Sequence, residues 1–167
     1  AAGEADPAAA LATAEACVLA AGIQGSATAC VVVLDAAGAL MAANVGDSGF
    51  AVVGAPPYGG AVGRHAQSPG PGSAPSTARR VVKFRSPQQE HEFGRPYQLG
   101  HAPTADRAAD AMRASLPLAP GDLVILGSDG LWDNLDDDAM LARVMGGRAA
   151  ARRASPPPAE RPRSPSP

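Results

Sequence analysis

Short apolar runs separated by turn residues dominate the first half of the chain. The run Thr28–Leu34 is continuous and rich in β-branched residues, which predicts a strand buried on both of its faces. The segment Asp35–Gly38 predicts a turn, and Ala39–Val45 predicts the returning strand. After a break at Gly46–Gly49, the apolar pattern resumes at Phe50–Val53. We therefore expect a meander of antiparallel strands here.

A helix is predicted ahead of these strands. Asp6 is a good N-cap residue and Pro7 suits the first helical position. The Ala-rich stretch that follows predicts a helix to about Leu19, with Gly22 past its end. One face of this helix is expected to be apolar, and it is formed by Leu11, Ala14, Val18 and Ala21.

The second half of the chain predicts two strands and two helices. Acidic residues open the last helix, and Gly146 and Gly147 are expected to end it. The polar segment Gln88–Phe93 fits neither pattern clearly. The predicted elements are the strand Val81–Phe84, a short helix at Arg107–Arg113, the strand Leu123–Leu126 and the helix Asp136–Met145.

Two segments have compositions that do not favour a packed core. Residues 56–79 are rich in Pro, Gly and Ser, which predicts a loop insertion. Residues 148–167 are dominated by Arg, Pro and Ser, which predicts a disordered tail. That tail is either a regulatory or binding segment or an unstructured extension. We therefore expect one domain over residues 1–147.

Composition excludes several classes of protein. The longest apolar runs, such as Ala29–Leu34, are far shorter than the ~20 residues of a membrane-spanning helix. Two cysteines, Cys17 and Cys30, are too few for a disulfide framework or a zinc site, and we expect both to be reduced and buried.

Charge is divided unevenly along the chain. Residues 143–167 carry a net charge of +5, whereas residues 1–142 carry −7. Between Arg113 and Arg143 there is no Lys or Arg, and there are six aspartates. An acidic domain of this kind argues against nucleic acid as a partner.

Two acidic turns carry the candidate chemistry. Asp47 lies between glycines after a predicted strand, and Asp129 follows the apolar strand LVIL, with Asp133 four residues later. Carboxylates at the ends of apolar strands are costly unless something offsets their charge. Mg²⁺ accepts one or two carboxylates and keeps several waters, so a divalent cation fits such a pair. The alternative is that each of these acidic segments is only a turn.

Other titratable residues give weaker signals. The residues Asp136–Asp138 are expected to be helix N-terminal charges rather than ligands. The three histidines lie in polar stretches without the spacing of paired ligands, and we expect them to be solvated. These histidines are His65, His91 and His101.

Taken in order, four segments resemble the metal-dependent type 2C protein serine/threonine phosphatases. The likeness extends over about residues 10–147, apart from the insertion. One of them, Phe84–His91 together with Pro96–Gly100, resembles the organelle-associated branch of that family, which favours a plastid or mitochondrial location. The segments are Gly25–Cys30, Ala43–Gly49, Ser128–Asn134, and Phe84–His91 together with Pro96–Gly100.

The resemblance implies an α+β fold, an αββα sandwich of two antiparallel sheets flanked by helices, incomplete in this chain. It implies a pair of Mg²⁺ or Mn²⁺ ions whose bridging water attacks phosphoserine or phosphothreonine in a phosphoprotein substrate. By motif, Asp129 matches a direct ligand of the metal pair, and Asp47 matches an aspartate that helps to hold a weaker third ion. Asp133 is a candidate supporting acid.

Some parts of the family pattern have no match here. Nothing in residues 1–24 matches the family's Asp-Gly motif, whose aspartate bridges both metals, and the phosphate-binding arginine belongs to the same part. Members of the family carry another metal-binding aspartate further downstream, just before a last core strand. In this chain, Arg, Pro and Ser residues replace that region. We therefore expect a truncated form of the enzyme, and the alternative is a non-catalytic pseudophosphatase or interaction module.

Overall fold

The structure is a computed structural model that describes residues 6–56 and 80–154. Two three-stranded antiparallel sheets form its centre, and helices lie outside them. The helices are α1 (Pro7–Ala20), α2 (Asp129–Trp132) and α3 (Asp137–Ala154). The strands are β1 (Ser26–Ala27), β2 (Ala29–Leu34), β3 (Ala39–Val45), β4 (Gly49–Gly54), β5 (Val81–Arg85), β6 (Glu90–Glu92), β7 (Arg95–Pro96), β8 (Leu99–Gly100), β9 (Met112–Pro117) and β10 (Leu123–Gly127).

The two sheets have the strand orders β2-β3-β9 and β10-β4-β5. The predicted meander is right for β2 and β3, which pair antiparallel, but wrong for β4, because the chain crosses to the other sheet at residues 46–48. Almost every residue of β3 and β4 is buried, so each strand is covered on both faces. A continuous apolar run predicts such burial, but it does not tell which strand is the neighbour.

Three apolar clusters correspond to the interfaces between four layers. The central cluster lies between the sheets and contains Phe50, whose ring centroid is 5.3 Å from that of Phe84. The outer face of the first sheet packs on α1, and the outer face of the second packs on α2 and α3. The predicted αββα sandwich is confirmed.

The first helix begins as predicted, because the Oδ1 atom of Asp6 accepts a hydrogen bond of 2.9 Å from the amide of Ala8. Its predicted apolar face is wrong except at Leu11. The helix is buried only through its first turns, whereas Ala14 and Ala21 are exposed and Val18 is 45% exposed. Helical spacing gives the relative positions of side chains, but it does not show how far along the helix a neighbour extends.

Strand β2 lies at a sheet edge, so the expected burial on both faces is wrong. Its residues are half-buried, and Leu34 is exposed.

Both cysteines are free. Cys17 is exposed, contrary to expectation, whereas Cys30 is half-buried, and burial raises the pKa of its thiol to about 11. Among the described residues, no helix is both long and apolar enough to cross a membrane.

The region after residue 100 differs most from the predictions. Instead of a helix at Arg107–Arg113, there is one 3-10 turn at Ala108–Asp110, and β9 follows it with alternating burial. Helix α3 continues past the glycines at which we expected it to end, because the following residues are mainly Ala and Arg, which favour helix. Residues 148–154, predicted to belong to the disordered tail, are therefore helical. The rest of the predicted tail, residues 155–167, and residues 57–79 of the predicted insertion lie outside the described residues.

A short ion pair joins β5 to the turn before β10. The Nζ atom of Lys83 lies 2.6 Å from Oδ2 of Asp122, which also accepts from the amide of Ala119 at 2.9 Å. Burial alone raises the pKa of Asp122, but the hydrogen bonds from Lys83 and Ala119 lower it more, and the net pKa lies below its ordinary value.

We expect this ion pair to stabilise the protein above the ordinary pKa of aspartate and to be lost as the pH falls through the lowered folded-state pKa. Asp122→Asn should therefore cost about 1–2 kcal/mol at pH 7 and reduce the loss of stability on acidification. Urea unfolding at a series of pH values measures both effects. The exposed Glu90, replaced by Gln, is the control, and an equal effect of the two variants would contradict the prediction.

Candidate metal centre

Strand pairing brings the two acidic turns to one end of the second sheet. Strands β4 and β10 are antiparallel, and Gly49 is paired with Gly127. Asp47 lies two residues before Gly49, and Asp129 lies two residues after Gly127. Because the two strands run in opposite directions, the start of β4 lies beside the end of β10. A residue just before β4 and a residue just after β10 therefore lie at the same edge. Both aspartates therefore lie at the same end of this sheet.

The turn that carries Asp47 is held from several sides. Gly46 has a φ of 92°, and its carbonyl accepts hydrogen bonds from the side-chain amide of Asn44 at 3.1 Å and from the backbone amide of Gln89 at 3.0 Å. The hydroxyls of Ser48 and Thr28 are 2.6 Å apart, which ties the turn to the first sheet. Asp47 itself is half-buried.

Asp129 is the first residue of α2, and only Ser128 separates it from the end of β10. It is exposed, and its Oδ1 atom accepts a hydrogen bond of 2.7 Å from the amide of Gly130. The indole Nε1 of Trp132 donates to the carbonyl of Gly127 at 2.8 Å, so this short helix is anchored to the strand. Asp133 is exposed, and its amide donates to the carbonyl of Asp129. The four-residue spacing puts both carboxylates on one side of the turn.

The remaining candidates have other partners. Asp136 accepts at 2.7 Å from the amide of Ala139, and Asp137 accepts at 3.0 Å from Arg85, which agrees with their interpretation as helix N-terminal charges. His91 is exposed, as expected, and it also lies 2.9 Å from a carboxylate oxygen of Asp106. His65 lies outside the described residues.

An open cleft lies beside the acidic turns. It has a volume of about 300 Å³ and is formed by the start of β2 and the neighbouring ends of β4 and β10. Two hydroxyls and mainly small or apolar groups surround it, so a ligand can approach the backbone closely. Its lining residues are Thr28, Ala29, Cys30, Ser48, Gly49, Leu126 and Gly127.

The donor set agrees in kind with a hard divalent cation but is incomplete for two ions. Asp47 and Asp129 supply carboxylate oxygens at one edge, and one Mg²⁺ ion takes only one or two carboxylates. Within residues 6–56 and 80–154, no three His, Cys, Asp or Glu side chains come together as a metal-binding group. The described residues therefore fit part of the ligand set of one ion, and they do not fit a metal pair.

Gln89 is a contributor to this site that sequence reasoning missed. It lies in a segment that the resemblance includes, Phe84–His91, but its contact with Gly46 joins residues 43 positions apart. No local pattern marks such a contact. Only the motif as a whole indicated that this polar segment belongs with the acidic turns.

Comparisons with known proteins agree on one family, although no family model matches the chain. The chain is 36% identical over 143 residues to the probable protein phosphatase 2C 55 of Arabidopsis thaliana, covering 86% of this chain and 25% of that protein. It is 36% identical over 127 residues to the protein phosphatase PTC7 homolog fig of Drosophila ananassae, covering 71% and 31%. It is 35% identical over 128 residues to the PTC7 homolog of Danio rerio, covering 72% and 35%.

A solved structure shows the same fold. The photosystem II phosphatase PBCP matches with a TM-score of 0.64 and 28% identity, over 88% of this chain and 50% of that one. The chain thus spans between a quarter and about a third of the length of these curated relatives, and half of the solved structure. Motifs, fold and relatives agree, and the chain belongs to the protein phosphatase 2C family.

Proposed function

We propose that this chain is part of a metal-dependent protein serine/threonine phosphatase, and that Asp47 and Asp129 bind a Mg²⁺ or Mn²⁺ ion in it. The observation that carries the proposal is the pairing of Gly49 with Gly127, because it brings two acidic turns to one edge. The adjoining cleft supports the proposal, since it leaves space for a phosphorylated side chain next to that edge.

The chemistry follows from the charges involved. A divalent ion, when bound, lowers the pKa of its water and offsets charge on the phosphoryl oxygens. In our proposal, Asp47 and Asp129 orient that ion, and Asp133 supports it from one helical turn away. The hydroxyl pair of Thr28 and Ser48 holds the Asp47 turn against the first sheet. The substrate in this proposal is a phosphoprotein.

A second candidate function is a module that binds phosphoproteins without hydrolysing them. The observation that favours it is the incomplete ligand set, since no group of three metal-binding side chains occurs among the described residues. The two candidates differ in turnover.

We also propose a plastid or mitochondrial location for the full-length protein, which is supported by the resemblance to the organelle-associated branch. Fractionation of cells that produce the protein would test this location.

Metal binding by the purified chain tests the first proposal. Titration calorimetry with Mn²⁺ is expected to show weak binding, and Asp129→Asn or Asp47→Asn should weaken it at least about tenfold. Asp138→Asn, which removes an exposed carboxylate from the first turn of α3, is the matched control and should leave the affinity unchanged. Equal losses in all three variants would contradict a specific site.

A phosphoserine peptide separates the two candidates. Release of phosphate that requires Mn²⁺ and is lost in Asp129→Asn supports the enzyme. Saturable peptide binding without phosphate release supports the non-catalytic module. A chain that neither binds nor hydrolyses the peptide would count against both candidates.

A further inference from the structure

We propose that Gln89 is a positioning residue, which orients Asp47 by holding Gly46 on both sides: the Gln89 side chain accepts from the Gly46 amide, and the Gln89 backbone amide donates to the Gly46 carbonyl. The inference rests on the proposed function, because it concerns one of the two proposed metal-binding side chains. Gln89 is half-buried and lies between β5 and β6, far from Asp47 in sequence. It does not contribute a ligand atom itself in this proposal.

Gln89 makes four hydrogen bonds, two of them to Gly46. Its backbone amide donates to the Gly46 carbonyl at 3.0 Å, and its Oε1 atom accepts from the Gly46 amide at 3.4 Å. Its Nε2 atom donates to the carbonyl of Asp110 at 3.0 Å, and its carbonyl accepts from the amide of Tyr97 at 3.0 Å. One residue thus joins the acidic turn to two other segments.

The Gly46 carbonyl belongs to the same planar peptide as the amide of Asp47. Gln89 and Asn44 both donate a hydrogen bond to that carbonyl, and the two hydrogen bonds together fix the orientation of the peptide plane. Asn44 is fully buried, which leaves little freedom for its side chain. The direction in which the Asp47 side chain leaves the backbone follows from this plane.

The segment around Gln89 is itself braced. The ring of His91 stacks on that of Tyr97, with centroids 4.0 Å apart and an angle of 7° between the planes. His91 also contacts the carboxylate of Asp106, which accepts from the amide of Gln98 at 2.8 Å. Because these contacts hold the segment around Gln89 in place, the hydrogen bonds of Gln89 attach Gly46 to an ordered surface segment and not to a free loop.

Amide hydrogen exchange measures the proposed role directly. Gln89→Met keeps the length of the side chain and its backbone amide but removes both side-chain hydrogen bonds. We expect exchange at Gly46 to become about three- to tenfold faster, with Phe50–Val53 unchanged. The neighbouring Gln88 is exposed, and Gln88→Met is the matched control. Gln89→Glu keeps an acceptor for the Gly46 amide and should restore most of its protection.

Mn²⁺ broadening of amide signals provides the functional readout. In Gln89→Met, about threefold more Mn²⁺ should be needed to broaden the signals of Gly49 and Gly130 by half, with no change in Gln88→Met. The proposal is overturned by unchanged Gly46 exchange, by faster exchange throughout Phe50–Val53, or by an unchanged Mn²⁺ response. If the unmodified chain shows no broadening at all, the proposed metal function fails, and the exchange comparison still decides whether Gln89 holds Gly46.

Discussion

Replacing Gly46 by alanine is expected to destabilise the protein by about 3 kcal/mol, because two penalties add. The φ of Gly46 is 92°, which a residue with a side chain rarely adopts. A Cβ atom there would also lie 2.5 Å from Cγ2 of Thr28 and 2.5 Å from the carbonyl oxygen of Tyr97. Urea unfolding measures the loss.

A matched variant separates these two penalties. Gly94 has a φ of 74°, but a Cβ added there would meet no heavy atom within 4 Å. Gly94→Ala should therefore show only the conformational cost, about 1–2 kcal/mol. A Gly46 variant no less stable than the Gly94 variant would show that the turn relaxes freely and does not hold Asp47 in place.

Replacing Trp132 by alanine is expected to cost about 3–5 kcal/mol, which is the usual range for removing a buried aromatic side chain. Trp132 is 8% exposed and packs among Ala51, Val53 and Met140, in the apolar cluster between the second sheet and helices α2 and α3. The guanidinium carbon of Arg85 lies 4.9 Å from its ring centroid. Thermal or urea unfolding measures the change.

Two further variants identify the source of that cost. Trp132→Phe keeps most of the apolar volume but loses the hydrogen bond to Gly127, and it should cost about 1–2 kcal/mol. Phe93 is fully exposed, so Phe93→Ala removes an aromatic ring that makes no contribution to the buried core, and it should be nearly neutral. If Trp132→Ala resembled Phe93→Ala, the end of β10 would not depend on this anchor.

Local patterns were sufficient where the decisive interactions are local. The limits of β3 match the predicted strand Ala39–Val45, and α1 begins at Pro7 because its cap and first turn lie within three residues. The missed strand β9 also had a local signal, the alternation of Met112, Ala114 and Leu116 with polar or exposed positions. The short helix predicted at Arg107–Arg113 overlaps the start of this alternation and is incompatible with it.

The extents of two helices were not predicted, one for a local reason and one because its neighbour is distant in sequence. The interpretation of α3 failed at Gly146 and Gly147, where the cost of glycine is smaller than the helical preference of the residues that follow. The exposure of Cys17 and Val18 depends on how much of α1 the first sheet covers. Neither extent is encoded in the spacing of apolar residues.

By itself, the sequence determined the residues of the two acidic turns and the apolar strands beside them, because turn geometry and β propensity act over a few neighbouring residues. Only the tertiary structure decided that β4 pairs with β10 and that Gln89 reaches Gly46. Such pairings depend on which apolar faces bury one another and on the register of the backbone hydrogen bonds across the whole chain. For this reason the candidate site residues were readable from the sequence, whereas the edge that brings Asp47 and Asp129 together was not.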